Sequence, residues 1–126
     1  MADPFPKRKQ LARPHRRAKR HVATRAEWAR IVAEKQGPCR VCCDPGHNGS
    51  LFGRIQLHHL VPRALMGDDV ADNLVPLCLV CHQAVTERRP LELRELAEML
   101  TDAEYAYVIG KLGEGAMERL FGVGRG

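Results

Sequence analysis

The 126-residue sequence predicts a small α+β domain with flanking helices and a disordered, basic N-terminal arm. Three observations carry that prediction. Two short runs with strand character, LFGRIQLHHL (51–60) and NLVPLC (73–78), are separated by a loop rich in Pro, Gly and Asp. Several other stretches have helical spacing or helix-start patterns. Two C-x-x-C pairs, Cys39/Cys42 and Cys78/Cys81, bracket the strand pair. Thiolates three positions apart on two tight turns can complete a tetrahedron around one zinc ion.

Composition narrows the function classes. At 44% hydrophobic and 5% aromatic residues, the chain can build only a small core. No run approaches the roughly 18 apolar residues that a membrane span requires, and the basic start is not followed by the apolar stretch of a secretory signal. Five cysteines, an odd number, argue against a disulfide framework. A reducing, cytoplasmic setting and a metal site are expected instead. Charge is unevenly placed. Residues 1–30 hold ten Lys/Arg and two acids, a net of +8, whereas residues 31–126 have a net of −3. A polyanion is the natural partner of such an arm, and a solubilising tail is the plainer alternative.

Residues 1–22 combine three prolines with dense Lys/Arg and have no apolar period, so this segment reads as the disordered arm and 23–126 as the domain. TRAE (24–27) is a capping-box pattern. Trp28, Ile31, Val32 and Lys35 then share a helical face, and Gly37-Pro38 stops the helix just before Cys39. CRVCCDPGHNGS reads as a knuckle followed by a loop. The segment 62–72 reads as a loop, and Pro76 assigns the second strand to an edge or to an early end. LVCHQAVTE (79–87) suggests a short helix that begins inside the second cysteine pair. Leu91, Leu93, Leu96, Met99 and Leu100 predict a further helix. TDAE (101–104) opens another, with Tyr105, Val108, Ile109 and Leu112 inward, and a last segment carries Met117, Leu120 and Phe121.

The cysteine pairs are 35 residues apart, so a whole substructure must lie between them, tied at both ends by the metal. Cys43 reads as a spare and His47 as a loop residue. His58, His59 and Asn73 lie within this insert, and His82 directly follows Cys81. If zinc closes the ends, the insert folds back as a hairpin. His82 then approaches His58 and His59, and two imidazoles from different elements can hold a catalytic divalent cation with open positions. Taken singly, each has a plainer use: Asn73 as a turn residue, His82 at a helix end, His58 and His59 on a half-exposed strand.

CRVC…LHHLVPRALMGDDVADNLVPLCLVCH resembles the HNH endonuclease family, in its form with a four-cysteine zinc site around a ββα-metal fold. The resemblance covers residues 39 to about 87, with the helices of 91–122 following. It rests on the His pair ending a strand, Pro62, the Gly/Asp loop, DNLVPLC, and Cys81 running into His82. It implies His59 as general base, and His58 with His82 as ligands of the catalytic ion. Asn73 would bond the loop and hold the base in place, and Cys39, Cys42, Cys78 and Cys81 would bind structural zinc. Many relatives have an acid where this chain has His58. A His/His pair suits a softer first-row ion better than it suits Mg²⁺, and Mg²⁺, Mn²⁺ and Ni²⁺ are the candidates for the catalytic site.

The expected activity is therefore metal-dependent hydrolysis of DNA phosphodiesters, as an endonuclease or nickase of low sequence specificity acting as a monomer. Arg63 would neutralise a phosphate oxygen, and Arg16, Arg17, Lys19 and Arg20 would add phosphate contacts that do not read sequence. Small size and a basic arm resemble the stand-alone enzymes of phages and prophages, which would place the protein in host cytoplasm during DNA processing or packaging. The leucine-rich stretch 91–100 reads first as core, and second as a docking face for packaging proteins such as terminase or portal. The alternative to catalysis is a zinc-stabilised nucleic-acid-binding module, which would not need His58, His59 and His82 together.

Overall fold

The computed structural model describes residues 19–42 and 54–122. Cys43, His47, Arg16, Arg17, most of the predicted arm and the start of the first predicted strand lie outside them. Helix α1 spans Arg25–Lys35. Its capping box is reciprocal: Thr24 Oγ1 accepts the Glu27 N–H at 3.1 Å, and Glu27 Oε1 accepts the Thr24 N–H at 2.8 Å. Two donors that a helix start would otherwise leave unpaired are thereby satisfied.

Strands β1 (Ile55–His59) and β2 (Leu74–Cys78) form an antiparallel pair, with Ile55 opposite Cys78 and His59 opposite Leu74. In a two-stranded sheet both strands are edges, which is how Pro76 is tolerated inside β2, opposite Leu57. All five residues of β2 are buried, whereas β1 is half-buried throughout. The predicted loop 62–72 contains two 3-10 turns, at Arg63–Leu65 and Ala71–Asn73. Its tightest point requires glycine. A Cβ on Gly67 would lie 1.7 Å from the Val61 carbonyl oxygen, because the chain doubles back against itself there.

Helix α2 (Leu79–Thr86) follows β2 without a linker. Pro90 starts α3 (Pro90–Glu98), Thr101 caps α4 (Asp102–Leu112) with a second reciprocal box, and α5 (Ala116–Phe121) closes the described chain. The core joins Val75 and Leu77 of β2 to Val85, Leu93, Leu96, Val108 and Leu120 of these helices. Two predicted faces differ in detail. Leu91 and Met99 are exposed, leaving Leu93 and Leu96 to bury α3, and Tyr105 is exposed while Glu104 beside it is fully buried.

Burial of Glu104 follows from two cations that meet it. Lys35 at the end of α1 pairs with Glu104 Oε2, and Arg40 donates to Oε1 at 2.6 Å and to Oε2 at 3.1 Å. Burial alone would raise this carboxyl. The bonds from Arg40, Lys35 and the Thr101 N–H outweigh it and hold the acid below its usual range. One carboxylate thus joins α1, the first cysteine turn and α4.

Candidate metal and catalytic site

The Sγ atoms of Cys39, Cys42, Cys78 and Cys81 lie within 4.8 Å of one another. Local structure explains the convergence. Cys39 and Cys42 sit on the turn after α1, which is fastened to β2 by the Arg40 N–H donating to the Pro76 carbonyl at 2.8 Å. Cys78 ends β2 and is also the N-cap of α2, its sulfur accepting the Cys81 N–H at 3.4 Å. The Cys42 and Cys78 sulfurs are 3.8 Å apart. A disulfide would be about 2.05 Å, whereas tetrahedral thiolates about 2.3 Å from one ion stand about 3.8 Å apart. Burial pushes the Cys39 thiol up, but backbone N–H groups of Cys42, Cys78 and Val41 outweigh it and lower it. Cys81 is pushed up by burial and by its neighbours Cys78 and Cys39. One thiolate opposes the next until a cation neutralises the set, so the donors fit a thiophilic ion.

At the other end of the hairpin, His58 and His82 meet. Their ring centroids are 5.2 Å apart at 70°. His82 is on the first turn of α2, one residue beyond Cys81, so the cysteine turn that starts the helix also aims this imidazole at β1. Burial lowers His58 to about 4, with His82 and His59 adding to the effect. Burial lowers His82 as well. Both rings are therefore neutral at physiological pH, the state in which imidazole nitrogen binds a metal.

His59 is on the opposite side of the strand, and different groups surround it. Trp28 of α1 stacks on it at 6.4 Å between centroids and 18° between planes. Its Nε2 is 2.9 Å from Asp69 Oδ1. His58, His59 and His82 nevertheless line one open cleft of about 540 Å³, with Arg63 and Arg88 on its walls. Arg88 terminates α2 in a left-handed conformation, with φ of 62°.

Asn73 is fully buried and bonds backbone rather than histidine. Its Oδ1 accepts the Val61 N–H at 2.7 Å, and its Nδ2 donates to the Val61 and Asp68 carbonyls at 3.1 and 2.9 Å. Its own carbonyl accepts the Leu60 N–H at 2.8 Å. Asn73 thus fastens the loop that follows His59. Of the arm residues assigned to DNA, Arg20 is bound inside the protein, to the Gly67 carbonyl through Nε at 2.8 Å and to Asp69. Ordered contacts therefore begin before residue 23, because this segment runs along the 67–69 loop.

Residues 39–88 match the HNH endonuclease family. No curated protein and no solved structure matches the chain. The HNH match contains both cysteine pairs, His58, His59, Asn73 and His82, in agreement with the resemblance seen in the sequence. Among the described residues the fold combines helices with a two-stranded antiparallel sheet and a four-cysteine cluster, consistent with a small α+β HNH domain. Sequence reasoning missed Asp69 and Trp28. Nothing local marks either of them. Asp69 looked like one of three loop acids, and Trp28 like a core residue of an amphipathic helix. Among the described residues no helix is long and apolar enough to cross a membrane.

Proposed function

We propose that the protein is a metal-dependent DNA endonuclease or nickase. The observation that carries this is the meeting of His58 with His82 in a cleft that His59 also lines, inside the HNH match. His58 and His82 would hold the catalytic divalent ion, and Cys39, Cys42, Cys78 and Cys81 a structural zinc. When bound, the catalytic ion supplies positive charge to the scissile phosphate and the leaving oxygen. His59 takes the proton from the attacking water, a task suited to an imidazole near neutral pH. Arg63 and Arg88, on the cleft walls, neutralise phosphate oxygens. The basic residues before Lys19, together with Lys19, add affinity without reading sequence. On the strength of the basic arm, the setting we propose is phage DNA processing or packaging, in which terminase or portal proteins would be the partners.

The test is conversion of supercoiled plasmid in Mg²⁺, Mn²⁺, Ni²⁺ or Zn²⁺, with and without EDTA. Cleavage in at least one metal, abolished by EDTA and weakened by His82→Ala through a raised metal requirement, is expected. DNA binding without cleavage in any of the four metals would instead identify a zinc-stabilised binding module.

A further inference from the structure

We infer that Asp69 is a positioning residue that holds His59 with its proton on Nε2 and its lone pair on Nδ1, and that it is itself held by a segment outside the HNH match. This inference rests on His59 being the base. Both carboxylate oxygens of Asp69 are engaged. Its Oδ1 receives both His59 Nε2, at 2.9 Å, and the Arg20 guanidinium, and its Oδ2 accepts the Ala23 N–H at 3.1 Å. The residue is 6% exposed. Burial by itself would raise this acid, but His59, the Ala23 N–H and Arg20 outweigh it and keep the carboxyl below its usual range.

An ionised carboxylate oxygen can only accept hydrogen bonds. His59 Nε2 must therefore be the donor in this contact. In the neutral ring the other nitrogen, Nδ1, then carries the lone pair, so proton abstraction is assigned to Nδ1. Without Asp69 the two tautomers would be free to exchange and the ring to turn. A base that is present but misoriented loses rate, because proton transfer depends on the lone pair being aimed at the water.

The parts that hold Asp69 and His59 come largely from before residue 39, where the HNH match begins. Arg20 and Ala23 hold the carboxylate, and the Trp28 ring lies nearly parallel to the imidazole, 6.4 Å away between centroids. The segment is fastened to the same loop by backbone as well: the Asp69 N–H donates to the His21 carbonyl at 2.8 Å, and the His21 N–H to Asp68 Oδ1 at 2.6 Å. Arg20 therefore belongs with the base rather than with the phosphate-binding arm.

The test compares Asp69→Asn, Asp69→Glu and Arg20→Gln with the wild type and with His59→Ala, all as zinc-loaded full chains. Plasmid nicking is read as kcat and KM, and the His59 tautomer by long-range proton–nitrogen correlation spectra. For Asp69→Asn the expected result is a kcat lowered roughly 10–100-fold, the loss usual when a partner orienting a functional histidine is removed. KM should stay within about twofold, and the His59 ring should lose its single Nε2–H form. Asp69→Glu should recover part of the rate. If Asp69→Asn fails to fold, Arg20→Gln carries the test, with a fall in kcat of about threefold or more at constant KM expected and an unchanged kcat contradicting the inference. Wild-type kcat and an unaltered tautomer in Asp69→Asn, alongside an inactive His59→Ala, would overturn this inference alone. Wild-type activity in His59→Ala would overturn the functional assignment on which it rests.

Discussion

Asn73 has no contact with a reacting group in this structure, yet the cleft depends on it. Its side chain replaces the bonds that the Val61 N–H, the Val61 carbonyl and the Asp68 carbonyl would otherwise make to water. Asn73→Ala leaves these groups buried and unpaired, at about 1–3 kcal/mol. Thermal melting should show a midpoint roughly 4–8 °C lower for each kcal/mol lost. The same loop carries Asp69, so nicking should fall in Asn73→Ala even below the new midpoint. At this scale the sequence was legible where a residue type is tied to its spacing. Cys39, Cys42, Cys78, Cys81, His58, His59, Asn73 and His82 could all be picked out, because their order and separations are unusual. Asp69 could not be, because its meaning lies in the Arg20 and Ala23 groups that come to meet it, 49 and 46 residues away.

Among the elements, α1 and α4 were foreseen from their capping boxes, TRAE and TDAE, since the reciprocal bonds need only local residues. The inward face of α4 was foreseen at Val108, Ile109 and Leu112 but not at the start of the helix. Apolar spacing pointed to Tyr105, but the ion pairs of Glu104 with Lys35 and Arg40 turn the helix so that the acid is buried. Spacing arguments place apolar residues and are blind to a buried charge whose partners are distant in sequence. This network makes a pH prediction. In the folded protein the bonds from Arg40 and Lys35 hold the Glu104 carboxyl below the ordinary glutamate range. The unfolded chain therefore binds the proton more readily, and the stabilisation is fully present above about pH 4.5 and is lost as pH falls below it. Urea melts from pH 7 to pH 3 should show stability dropping in that acid window. Glu104→Gln should be less stable at pH 7 by about 3 kcal/mol, since Lys35 and Arg40 are left unpaired, and it should show a shallower acid decline.

At the scale of the molecule, the sheet formed by the described residues has two strands, and such a pair by itself is marginally stable at best in water. The four cysteines close its open end, and α1 and the C-terminal helices cover it. Binding of the proposed zinc would then contribute folding free energy. Cys81→Ser, or chelation of the wild type, should abolish cooperative melting and the near-ultraviolet signal of Trp28 together. A metal-free Cys81→Ser protein that melts cooperatively at the wild-type midpoint would contradict this account. The fold class followed from the sequence because the cysteine pairs, the strand runs and the caps all point the same way. The architecture of the cleft did not, because it joins residues 20–28 to the HNH segment through contacts that leave no local pattern. The central claim is that the histidines of this cleft cleave DNA, and plasmid nicking by His59→Ala tests it most directly. With folding and metal content unchanged, the account predicts a rate roughly 10²–10⁴-fold below wild type, the usual contribution of a positioned base. Nicking by His59→Ala at the wild-type rate, or wild-type nicking that persists in EDTA, would contradict it.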